Sequence, residues 1–263
     1  MTVRILAAVA LAATLVINFL ANALPIAGRT TGEVSDSFPV LFVPAGYVFA
    51  IWGLIYLGLI AFVVYQFHPA IVAKPRHLAS QTTSGATYDY PRLNLWLILS
   101  CLFNSLWIFA WHYGYYGVTL LLMLGLLVSL IAIYQELGAS RARGLTSWMV
   151  QAPFSLYLGW IIVATVANAT AVLYDAGWNG WGLPDAFWAV GMIAVATGLG
   201  LRILWARADT ILNLVLVWAL VGIAVKQSAT PAVADAALAG AVLVAVAIFL
   251  RGGRGGARAV VNP

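Results

Sequence analysis

Charge is what this sequence has least of. Only 8% of its 263 residues are Asp, Glu, Lys or Arg, against roughly 25% in soluble domains. That is too little to cover a water-facing surface, and it excludes a cytosolic enzyme, a nucleic-acid binder and a disordered chain. There is a single cysteine, Cys101, so no intrachain disulfide and no cysteine zinc site can form; its neighbours Leu99, Ser100 and Leu102 mark it as a small buried apolar residue. The three histidines include no His-x-x-x-His pair, the carboxylates do not cluster, and no glycine-rich phosphate loop follows a strand. Metal catalysis, phosphoryl transfer and proton-driven pumping therefore lack their parts. We expect no catalytic residue, no metal site and no enzyme activity.

What is abundant is apolar side chain, 63% of the residues, with a mean hydropathy of +0.98. The class that remains is an all-α polytopic membrane protein. Uncharged runs of about 20 residues predict five spans, Ile5–Ala27, Ala45–Phe67, Leu93–Trp111, Val118–Tyr134 and Ser147–Leu173. Three more with shorter uncharged cores follow, making eight: one from Trp181 to Leu204, one after Asp209 to Val225 and one after Pro231 to Leu250. The third and fourth are separated by His112-Tyr-Gly-Tyr-Tyr-Gly117, because no Asp, Glu, Lys or Arg interrupts 93–135. Arg202, Arg207 and Lys226 serve the ends of the shorter C-terminal spans by reaching to the headgroups.

The basic residues test this count. With the N-terminus inside, one face holds Arg4, Lys74, Arg76, Arg92, Arg141, Arg143, Arg202, Arg207, Arg251, Arg254 and Arg258. The other holds only Arg29 and Lys226, so one side carries 11 of the 13. The positive-inside rule then puts both termini in the cytoplasm, and the net charge of +5 is a topology signal. The N-terminus reads as a retained first helix; its alternative is a secretory signal with Ala21-Asn22-Ala23 as the cleavage site. Eleven Arg against two Lys, with abundant alanine, indicate a GC-rich bacterial source and thus a bacterial inner membrane.

Inside the spans the polar groups are amides. Asn18, Asn104, Asn168 and Asn213 fall in the first, third, fifth and seventh spans, where each must face a neighbouring helix, as interhelical glue, or line a ligand cavity. His112 sits at a helix end beside Gly114, where water is expected to reach it. Aromatics make up 13% of the chain, with 11 Trp. Trp148, Trp178, Trp181 and Trp188 suit interfacial anchoring. Trp52 and Tyr56 are one helical turn apart in mid-span, Trp107 is one turn from Asn104 and Trp111, and Trp160 follows Pro153 by seven residues. Helical spacing puts each set on one face, as core packing or as the wall of a pocket for a flat apolar ligand.

These residues resemble the translocator-protein/tryptophan-rich sensory protein (TspO/MBR) family. Asn104-Ser-Leu-Trp107 is similar to its Asn-x-x-Trp, and Pro153-Phe154, Trp160, Ala164 and Asn168 to its Pro-Tyr-x-x-Trp…Ala…Asn helix. Phe49, Trp52 and Tyr56, after a loop ending Pro44-Ala-Gly-Tyr47, resemble its second helix. Phe154 replaces the usual tyrosine, Ser100 the usual glutamine, and Phe38-Pro39…Pro44 the family's Trp-Tyr…Lys-Pro…Pro-Pro run, which in the family helps to close the pocket.

The resemblance covers residues 1–174 and implies a five-helix bundle; the spans beyond it add three further helices over 175–251, and a short basic tail follows, 252–263. It implies a binding or sensor protein for a hydrophobic planar ligand, a porphyrin, heme or other tetrapyrrole. The implied ligand residues are Trp52, Tyr56, Asn104, Trp107, Pro153, Trp160 and Asn168. Its expected partners are that small molecule, the lipid bilayer, and a second copy or a membrane complex. A transporter of a small apolar solute and an accessory subunit of a larger complex are the alternatives.

Overall fold

With no water in hydrocarbon, a spanning segment must satisfy its own backbone, and a helix does this within one segment. The uncharged runs are accordingly helical in the computed structural model, which describes residues 1–24, 26–69, 88–138 and 144–260, with side chains through Arg251. Lys74, Arg76, Arg141 and Arg143, which the charge argument uses, lie outside the described residues. Among those described, the helices are α1 (Thr2–Ala23), α2 (Thr31–Asp36), α3 (Ile51–Tyr65), α4 (Tyr90–His112), α5 (Tyr116–Gly138), α6 (Ala152–Asp175), α7 (Asp185–Arg207), α8 (Thr210–Lys226) and α9 (Pro231–Val260).

The protein is an all-α polytopic membrane protein. Among the described residues, seven helical stretches are long and apolar enough to cross a membrane, and α8, at 17 residues, is a shorter apolar helix. The spans are apolar on their outer as well as their inner faces, as lipid requires: Phe19 is 69% exposed, Leu121 69% and Phe249 80%.

Local chemistry sets the ends. The first helix stops at Ala23, short of the expected Ala27, and Leu24 leaves the helical region (φ −127°, ψ 82°). The residue after it is Pro25, whose ring disfavours helical geometry in the residue before it. Asp89 caps α4 by accepting from Arg92 N at 3.1 Å, and Asp209 caps α8 by accepting from Leu212 N at 2.9 Å. A π-turn, Ser147–Gln151, leads into α6. Pro153 has no N–H to give the carbonyl four residues back, and the wider turn absorbs that break.

The helices form two compact units, Met1–Phe38 with Ala50–Ile161 and Pro39–Phe49 with Ile162–Pro263. In the first, α4 packs between α1 and α5. The inner face of α1, Ala7, Leu11, Thr14, Asn18 and Ala21, repeats every three or four residues and is set by helical periodicity. Gly125 on α5 lets the helices close, since a Cβ there would lie 2.7 Å from the Phe103 ring. Arg4 donates to Gln66 O at 2.9 Å and lies 5.5 Å from the Tyr90 ring centroid, tying α1 to the ends of α3 and α4.

In the second unit α9 packs on α7 and α8. The strap 39–49 is fastened to α8: Ala45 N donates to Gly222 O at 3.0 Å, Trp218 Nε1 donates to Val48 O at 3.1 Å, and the Tyr47 ring meets Trp218 edge-on at 5.4 Å. Gly222 makes this possible, because a Cβ there would overlap Val48 and lie 3.1 Å from Pro44. A Gly222→Val variant should therefore lift the strap and lower stability by about 1–3 kcal/mol, read as a lower thermal midpoint in detergent. Gly198→Ala, on α7 where an added Cβ meets nothing within 4 Å, should leave the midpoint unchanged or raise it.

Candidate functional site: an aromatic and amide cluster in the first unit

Asn18 on α1 and Asn104 on α4 are 7% and 2% exposed, and neither amide has water to turn to. Asn18 Nδ2 donates to Asn104 Oδ1 at 2.8 Å and to Thr14 O at 2.9 Å. Asn104 Nδ2 then donates to the Tyr157 hydroxyl at 3.2 Å. One turn away, Thr14 Oγ1 lies 3.0 Å from Ala10 O, 3.2 Å from Cys101 O and 3.1 Å from Ser105 Oγ. A polar thread thus runs from α1 through α4 to α6.

Aromatic rings lie beside it. The Trp52 ring stacks on Tyr56 (5.4 Å, 27°) and meets Tyr157 (5.8 Å, 68°) and Trp160 (6.2 Å, 81°) edge-on. Trp160 and Tyr157 are buried, while Trp52 and Tyr56 are partly exposed. Pro153 packs against Gly58, where a Cβ would lie 3.1 Å from Pro153 Cβ. Phe154 meets Phe62 edge-on at 4.9 Å. In that apolar position the missing tyrosine hydroxyl removes a polar group that would need a partner.

The structure therefore gathers Trp52, Tyr56 and Trp160 directly, and Asn104 through Tyr157. Trp107 joins a second aromatic group instead. It stacks on Trp111 (5.3 Å, 17°), which in turn meets Phe38 (5.8 Å) and Tyr116 (5.5 Å). Asn168, 3% exposed, is buried in the second unit. Sequence reasoning missed Tyr157, although it stands four residues after Pro153 and three before Trp160, a spacing that puts all three on one helical face.

His112 corrects an expectation. The helix end does not open it to water: it is 2% exposed, with Nδ1 2.7 Å from Ile108 O and Nε2 3.4 Å from Thr31 Oγ1. What covers it is α2, a short helix the hydropathy pattern did not show. Trp111 Nε1 donates to Thr31 O at 3.3 Å. The helix starts on a capping box, with Glu33 N donating to Thr30 Oγ1 at 3.2 Å and Thr30 N donating to Glu33 Oε2 at 2.7 Å. These bonds hold the Glu33 carboxyl below its ordinary range, the backbone N–H of Thr30 contributing most.

A family of TSPO-like proteins matches residues 4–250 of the sequence. The chain belongs to the TSPO-like protein family. The match runs through α7, α8 and most of α9 as well as the earlier spans. Membership makes this an integral multi-pass membrane protein of a family of membrane sensor and binding proteins in general. No curated protein and no solved structure matches the chain at a significant level.

Two outcomes follow for this TSPO-like chain. Tyr157→Phe should strand the Asn104 amide and cost about 1 kcal/mol, and Asn104→Leu, which strands both Asn18 and Tyr157, should cost more, about 1–3 kcal/mol. Thermal unfolding of the full chain in detergent reads both. The α2 cap should also depend on pH. The folded pKa of Glu33 lies below the unfolded one, so the cap is fully present above the ordinary glutamate value of 4.5 and is lost as pH falls through the depressed value. Amide exchange of α2 should quicken over that window in the native chain. In Glu33→Gln it should be independent of pH once corrected for intrinsic exchange.

Proposed function

We propose that this protein binds and senses a hydrophobic planar ligand, a porphyrin or other tetrapyrrole, without chemically transforming it. The observation that carries the reading is the grouping of Trp52, Tyr56, Tyr157 and Trp160 beside the Asn18–Asn104–Tyr157 thread. Ring faces offer a flat apolar ligand large contact area at fixed geometry, and the amides offer hydrogen bonds to its polar edge. Trp52 and Tyr56 are the members with surface still open, so they receive the ligand, and buried Trp160 and Tyr157 hold them in place.

The ring system, and not a metal at its centre, is what these groups suit. The imidazole of His112 is engaged by Ile108 and Thr31, and the remaining groups are indoles and amides, which are poor ligands for iron, and phenols, which bind it only once deprotonated. The polar groups of the cluster are amides and hydroxyls that donate and accept hydrogen bonds, with no carboxylate or imidazole among them to act as a general base, which supports a non-enzymatic role. The charge split of the loops supports both termini lying in the cytoplasm, and the excess of Arg over Lys with abundant alanine supports a bacterial inner membrane.

Protoporphyrin titrated into the detergent-solubilised protein should quench tryptophan fluorescence saturably. Trp52→Ala and Tyr56→Ala should each weaken binding by about tenfold, or about 1.4 kcal/mol. Free-base and iron(III) protoporphyrin should titrate alike. Quenching that both substitutions leave unchanged overturns the pocket, and a strong preference for the iron form overturns the absence of an axial ligand.

A further inference from the structure

The second unit holds a cleft of about 80 Å³ that the reading above does not use. Phe42 of the strap, Tyr174 at the end of α6, Trp178 in the following turn, and Asp185 and Trp188 at the start of α7 line it. Its walls are fixed. The Trp178 and Trp188 centroids are 5.1 Å apart, and Trp188 Nε1 donates to Gly180 O at 3.0 Å. Gly180 and Gly182 both have positive φ, and Trp181 between them is held in the left-handed region at φ 53°, its N–H donating to Asn179 Oδ1 at 3.0 Å. Trp181 packs edge-on against both Trp178 and Trp188 and is itself 76% exposed.

The chemistry of this cleft selects one sign of charge. Indole and phenol faces attract cations. The one charged side chain in the lining is the Asp185 carboxylate, which makes no ion pair among the described residues. An anion is disfavoured, because Asp185 itself neutralises the positive end of α7. A bare metal ion would find one carboxylate among apolar walls, far short of the oxygen ligands it needs. An organic ammonium ion satisfies both the rings and the carboxylate. The surroundings extend the choice to an amphiphile, since exposed Leu173, Trp181 and Phe187 adjoin the cleft at the ends of two membrane spans, giving acyl chains an apolar track.

We propose that this cleft binds the ammonium headgroup of a membrane lipid, held by Asp185 and by the rings of Trp178 and Trp188. The test titrates the full chain in nonionic detergent with short-chain phosphatidylethanolamine, with phosphatidylglycerol of the same chain length, and with free ethanolamine, by calorimetry. The ethanolamine lipid should bind at least about tenfold more tightly than the glycerol lipid. Asp185→Asn should erase that preference and Asp185→Glu should restore most of it; losing the charge at the start of α7 should lower the thermal midpoint only slightly, because Asp185 is exposed. Equal binding of the two lipids, or a preference that survives Asp185→Asn, overturns the site. Free ethanolamine binding as tightly as the lipid overturns the lipid assignment in favour of a soluble amine.

Discussion

An amide in hydrocarbon has no solvent to fall back on, and the first unit is arranged around that constraint. Asn18 and Asn104 answer it together, the first giving its protons to Asn104 and Thr14 and the second passing its own to Tyr157. Three spans are thereby held in one register, because a helix that slid by a turn would strand at least one of these groups. Van der Waals packing alone would not fix that register as sharply, since apolar faces slide past each other at little cost when lipid is equally apolar. The aromatic rings beside the thread inherit their positions from it: Tyr157 is both the last hydrogen-bond partner and a wall that Trp52 leans on.

The segment between α1 and α3 is ordered by a different means. Its first half is a capped short helix whose backbone carbonyl at Thr31 receives the Trp111 indole, and Phe38 at its end packs on Trp111 and Tyr116. Its second half is the strap on α8, where a glycine opens the helix surface to a backbone donor. Both halves use backbone carbonyls to satisfy indole N–H groups, at Thr31 and at Val48. Tryptophan here acts as a long polar-tipped lever as much as an apolar weight.

Much of this was legible from residue order. The span boundaries follow from charge and glycine, and seven of the eight predicted spans meet the length of a membrane crossing. The face carrying Trp52 and Tyr56 follows from one-turn spacing, and the burial of Asn104 from an amide's need for a partner in hydrocarbon. Three things were not readable. The partner of an amide depends on the rotation of a helix distant in sequence, so the Asn18–Asn104 bond, spanning 86 positions, left no local mark. The short helix α2 has six residues, too few for a hydrophobic period to appear, although Thr30 and Glu33 carry the capping-box spacing that signals its start. Trp107 and Trp160 look alike in a sequence; one-turn spacing already sets the first beside Trp111, but only packing sends the second to Trp52.

The 17 residues of α8 have a consequence for the lipid itself. At 1.5 Å per residue the helix rises about 25 Å, against a hydrocarbon thickness of about 30 Å. Its neighbours α7, at 23 residues, and the 21-residue apolar stretch of α9 reach that thickness or more. The bilayer beside α8 must then pinch inward, or Lys226 must stretch along its stem to keep its ammonium among the headgroups. Such a mismatch costs a fraction of a kcal/mol per Å, and it falls as the membrane thins. The length of one helix thereby gives the protein an energetic preference among membranes.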